Sequence, residues 1–103
     1  MYSLVLVTVP DRKDARRIAN ALIKNKLAAC VNIVGKVESL FWWEGKVDKA
    51  SEALLIIKSK KALVPMLVKL VKSLHSYKVP EIISLPITSG FKPYLNWIDE
   101  SLR

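Results

Sequence analysis

Cysteine, histidine and glycine are scarce in this chain of 103 residues. The one cysteine, Cys30, excludes an intrachain disulfide and every C-x-x-C metal site. The one histidine, His75, excludes an H-E-x-x-H pair, and a single copy cannot build a tetrahedral His/Cys centre. Three scattered glycines exclude a phosphate-cradling loop and a dinucleotide fingerprint. No nucleophile–base pair stands out, so no enzyme is expected. No apolar run approaches the roughly 18 residues of a membrane span. The opening Met1-Tyr2-Ser3-Leu4-Val5-Leu6-Val7 lacks a basic flank and runs into Pro10-Asp11-Arg12. It reads as a strand rather than a leader, and the protein as cytoplasmic. Glutamine is missing altogether, which together with abundant Lys, Ile and Val fits a thermophile's composition.

What is present is apolar and basic. The length suits one domain over residues 1–103 with one hydrophobic core. There are 17 basic and 9 acidic residues, a net charge of +8. An anionic partner is one reading of that charge. The lysines are spread over helix faces and turns without a long basic run, so nucleic acid is unlikely and a solvated surface is favoured.

The chain is organised around residues 28 to 58. Ala28 to Trp43 is rich in β-branched and aromatic residues, Glu44-Gly45 supplies a turn, and Leu54-Leu55-Ile56-Ile57-Lys58 returns. A strand over 28–43 would span roughly 50 Å at roughly 3.3 Å per residue. A domain of this size has a radius of gyration of about 13 Å, so the hairpin must overhang its own core. Gly35 marks an expected bend or bulge. The overhanging tip carries Leu40, Phe41, Trp42 and Trp43, which need a cover, and a second copy of the chain is the economical one.

The remaining elements follow from periodicity. Residues 2–9 form a buried strand. Asp11 caps a helix whose apolar face is Ala15, Ile18, Ala19, Leu22 and Ile23. A second helix carries Leu63, Leu67, Leu70, Val71 and Leu74, with Pro65 in its first turn. Glu81 to Ile87 gives the last strand, placed at an edge by Pro86. Phe91 to Leu102 is a terminal helix. The order β-α-β-β-α-β plus a helix is the α+β, ferredoxin-like sandwich, here with an extended hairpin between its second and third strands.

Four ordered motifs carry a resemblance over essentially the whole chain. They are Val7-Thr8-Val9-Pro10-Asp11, Lys26-Leu27-Ala28-Ala29-Cys30-Val31-Asn32, Trp42-Trp43-Glu44-Gly45-Lys46, and Tyr77-Lys78-Val79-Pro80-Glu81-Ile82-Ile83. The last is followed by Tyr94-Leu95-Asn96-Trp97. The chain resembles the CutA divalent-cation tolerance proteins. The resemblance implies a homotrimer whose long hairpins pair edge to edge, as in PII-type signalling proteins, and an association with tolerance to copper and other divalent cations. Two departures stand out. Ser76 replaces a usual proline, and the Cys and first His of the family's proposed copper ligands correspond here to Val7 and Leu74, leaving only His75.

The candidate site residues follow. His75 is the candidate metal ligand for copper or another divalent cation, with Glu81 or Asp48 of a neighbouring copy able to join it. The competing reading is a histidine held at a helix C-terminus. Cys30 reads as a small buried residue. Lys58, Tyr77 and Glu81 are expected at one edge of the sheet, with Trp43 from a neighbour as an aromatic wall for a small polar ligand. A PII-like trimer that binds a small anionic effector or a protein partner in an intersubunit cleft is the alternative reading.

Overall fold

The structure is a computed structural model that describes residues 1–103. Four strands form one antiparallel sheet: β1 (Tyr2–Val9), β2 (Cys30–Trp43), β3 (Lys46–Lys60) and β4 (Ile82–Ile87), in the spatial order β2-β3-β1-β4. Three helices complete the chain: α1 (Arg12–Lys24), α2 (Val64–Leu74) and α3 (Lys92–Ser101). A short 3-10 turn, Lys61–Leu63, leads into α2. This is the ferredoxin-like arrangement, with α1 and α2 on one face of the sheet. No helix is long and apolar enough to cross a membrane.

Local chemistry sets the element ends. Asp11 is extended, and its side chain accepts from the Asp14 N–H at 2.8 Å, which starts α1. Pro65 lies at the start of α2, where its missing N–H costs no helical bond. Trp43 pairs directly with Lys46, so the hairpin turns on two residues. Both have positive φ, 50° at Glu44 and 78° at Gly45, the type I′ geometry whose twist suits a hairpin. Pro86 lies on β4, an edge strand, as its missing donor requires.

The core lies between the sheet and the first two helices. Val5, Val7, Leu55 and Ile57 of the sheet meet Ile18, Leu22, Leu67 and Val71 of the helices, each fully buried. Burying each side chain contributes about 1.5–3 kcal/mol. Ile98 and Leu102 bring α3 into the same cluster. The opposite face of β3 is less covered. Leu54 and Ile56 are only half-buried, and Ile83 and Leu85 of β4 are exposed, so that face is apolar but uncovered in the single chain.

The hairpin overhangs as its length predicts. The molecule measures 44 × 26 × 23 Å. The first strand of the hairpin starts at Cys30 rather than Ala28, because Ala28 turns into the core and is 2% exposed. Register slips between Val34 and Val37, which places a bulge where Gly35 predicted one. The positive φ there belongs to Lys36, at 57°, rather than to Gly35. A Cβ at Gly35 would meet the Arg12 guanidinium, the far end of an exposed side chain that can move aside.

Candidate functional site

The bulge decides which side chains face which way. Before it, Val31 and Ile33 pair with Ile57 and Leu55 on the helix-covered face. Two residues, Gly35 and Lys36, then stand where one would keep step, and Val37 pairs with Glu52 on the other face. A one-residue shift moves every later side chain to the opposite side. Phe41 and Trp43 therefore share a face with their partners Asp48 and Lys46, and with Glu52.

That face and the segment from Ser76 to Glu81 enclose an open groove of about 1020 Å³ at the base of the overhang. Thr8 of β1 forms part of its floor. Leu40, Phe41, Trp43 and Tyr77 give it an aromatic and apolar wall. Glu38, Asp48, Glu52 and Glu81 line it, against one ammonium, that of Lys78. None of these five is in an ion pair: the chain has only two, Arg17–Asp14 at 3.4 Å and Lys60–Asp99 at 3.7 Å. The groove is thus acidic in a basic protein.

Glu52 and Tyr77 anchor the groove. Glu52 is 8% exposed, and Tyr77 Oη donates to its Oε2 at 2.8 Å. Burial, that hydrogen bond and the nearby carboxylates of Glu52, Asp11 and Asp14 push the Tyr77 phenol up to about 12. The phenol is therefore a lasting donor to Glu52.

His75 takes the competing placement, held at the C-terminus of a helix. It closes α2 and is 9% exposed. Its Nδ1 accepts from the Tyr77 N–H at 3.0 Å, and its Nε2 lies 2.7 Å from the Thr8 carbonyl. An imidazole with Nδ1 as acceptor carries its proton on Nε2 and donates it to that carbonyl. Both nitrogens are used, and no lone pair remains for a metal. His75 instead ties the end of α2 to β1 and fixes the start of the segment that carries Tyr77. No group of three or more His, Cys, Asp or Glu side chains is gathered closely enough to hold a metal ion.

The structure separates Lys58 from the other candidates. β3 and β4 both run antiparallel to β1, so they run parallel to each other. The end of one therefore lies far from the start of the other. Lys58 pairs with Leu4, whereas β4 begins opposite Val7. The Lys58 ammonium contacts Asn32, with Cys30 Sγ at 3.8 Å. Tyr77, Glu81 and Trp43 do meet in the groove, and Trp43 arrives from the same chain. Glu52 was missed. Its signal was a carboxylate directly beside the buried run that starts at Ala53.

Comparison with known proteins bears on the whole chain. The family described as "CutA1 divalent ion tolerance protein" matches residues 3–101. The rice (Oryza sativa subsp. japonica) "Protein CutA 1, chloroplastic" is 50% identical over 100 residues, covering 97% of this chain and 56% of that protein. The chain thus spans about half the length of such relatives. The structure of the "Divalent cation tolerance protein (Cut A1)" of Thermus thermophilus superposes with a TM-score of 0.98 at 46% identity, covering 100% of both chains. That of the "Periplasmic divalent cation tolerance protein CutA from Archaeoglobus fulgidus" gives 0.97 at 42% identity, again over 100% of both. Agreement in sequence and backbone over the full length places this chain in the CutA1 divalent ion tolerance protein family.

Proposed function

We propose that the protein serves divalent-cation tolerance as a homotrimer, taking up divalent cations weakly in the acidic groove and performing no catalysis. One observation carries this reading: four carboxylates, none in an ion pair, line a single groove of a chain whose net charge is +8. Four carboxylates gathered against one ammonium raise the local concentration of a cation. The donors are oxygens alone, which build in no preference for copper. The general order of divalent affinities would still place Cu²⁺ ahead of Zn²⁺.

The trimer is supported by what one chain leaves open. The apolar tip and the uncovered sheet face both need a partner, and a neighbouring copy would add donors to a groove that lacks a chelating cluster. A small anionic effector is disfavoured, because the groove would repel it. A cytoplasmic location belongs to this reading and suits a chain that can form no intrachain disulfide. The relatives' own names include chloroplast and periplasm.

Calorimetric titration of the assembled protein with Cu²⁺ and Zn²⁺ tests the reading. The combined Glu38→Gln, Asp48→Asn, Glu81→Gln variant should lose at least about tenfold in affinity, as removal of three attracting charges predicts. His75→Ala should keep the affinity, since its nitrogens are already used. Unchanged affinity in the triple variant overturns the groove as the site.

A further inference from the structure

The charge of this chain is segregated by its fold. Residues 11–26 carry six basic and two acidic side chains, and residues 61–74 carry three basic and no acidic ones. These two segments hold seven of the eight net positive charges, and the remainder of the chain is nearly neutral. Both belong to the helix layer. Ala15, Ile18, Leu22, Leu67 and Val71 turn inward, so Lys13, Arg16, Lys24, Lys69 and Lys72 turn outward, and all five are exposed. The linear sequence hides this, because the two segments lie far apart along the chain.

A solvated lysine surface usually carries acidic partners three or four residues away. α2 has none. Two of the basic residues serve structure: Arg17 donates to the Leu74 carbonyl at 2.6 Å and pairs with Asp14, and the Arg12 guanidinium lies over Gly35. The five outward cations are in no ion pair. The apolar stripes of both helices are spent on the core, leaving only Ile23 and Met66 as isolated exposed apolar groups on this layer. That is little to insert into a lipid surface. No aromatic side chain lies on either helix, so there is nothing on which unpaired bases could stack.

From this we infer that the outer face of α1 and α2 is a sequence-independent docking surface for the phosphate backbone of duplex nucleic acid. Recognition is by charge alone: lysine and arginine displace condensed counterions, and no group is placed to read a base edge. The surface is the outer side of the layer that covers one face of the sheet, and no residue of the groove lining lies on α1 or α2.

The test is fluorescence anisotropy of a labelled random-sequence DNA duplex, titrated with the full chain at several salt concentrations. About four phosphate contacts would give a slope of log affinity against log salt near −3.6. Lys69→Glu with Lys72→Glu should reduce the slope by about two and the low-salt affinity by at least about tenfold. Lys46→Glu with Lys92→Glu removes the same charge away from the helix layer and should change affinity by no more than about threefold. Equal losses in the two variants would reduce the effect to net charge and overturn the proposal. So would absence of duplex binding at low salt, including the case in which the protein binds phosphatidylserine vesicles instead.

Discussion

The two halves of the long hairpin share one pair of strands and live in different surroundings. In the proximal half, Leu55 and Ile57 are fully buried beneath α1 and α2. In the distal half, Leu40 is 68% exposed and Trp42 75%. Backbone pairing runs along both halves, from Cys30 to Val34 and from Val37 to Trp43, with only the bulge between them, so hydrogen bonding does not distinguish the halves. Burial does. The proximal half is stabilised by its own chain, whereas the distal half is only a two-stranded ribbon, which is marginal in water without further cover.

That contrast can be broken from either side. The largest effect should come from the proximal half: Leu55→Ala opens a cavity in the closed core and should cost about 3–5 kcal/mol in denaturant unfolding. A smaller loss would mean that the core collapses around the gap. In the distal half, Trp42→Ser with Trp43→Ser removes two side chains that the single chain leaves mostly or half exposed. If a neighbouring copy covers the tip, each Trp should contribute about 2 kcal/mol or more to assembly. Sedimentation should then show dissociation or aggregation. An intact assembly with unchanged melting would show that the tip is not the contact.

The junction between the halves gives an intermediate effect. Tyr77→Phe leaves the Glu52 carboxylate without its phenol and should destabilise by about 1.5–3 kcal/mol. The alkaline limit sharpens this. The Tyr77 phenol is raised from 10.0 to about 12 in the fold, so the folded state keeps a proton that the unfolded chain loses. Stability from this group is full below pH 10 and is lost as pH rises from 10 to about 12. Native protein should weaken across that interval more steeply than the Phe variant, read as denaturation midpoint against pH. The smallest effect should come from the turn. Gly45→Ala places a Cβ at φ 78° and should cost about 1 kcal/mol, felt as faster amide exchange confined to the tip.

Local rules carried much of the fold into view. The first strand at Tyr2–Val9, the Asp11 cap and the Glu44-Gly45 turn each follow from neighbours in sequence. The site was less legible because its contacts are distant. Tyr77 and Glu52 stand 25 residues apart, and nothing in either segment announces the other. Lys58 was misplaced for a different reason: relative strand direction, rather than sequence, decides that β3 ends where β4 also ends. For His75 the residue type suggested a ligand, but the backbone groups of Thr8 and Tyr77 had already taken both ring nitrogens.

The bulge at Gly35-Lys36 has a consequence for how this protein can vary. It works like a frameshift in side-chain presentation, with every residue beyond it read in the other parity. Deleting Lys36 would leave the core strands untouched and the composition of the tip almost unchanged. It would also turn Phe41 and Trp43 to the other side of the ribbon and bring Trp42 to the side they now occupy. Lengthening or shortening the overhang should therefore be tolerated in steps of two residues per strand. Single insertions beyond the bulge should give proteins that fold normally and present the wrong surface.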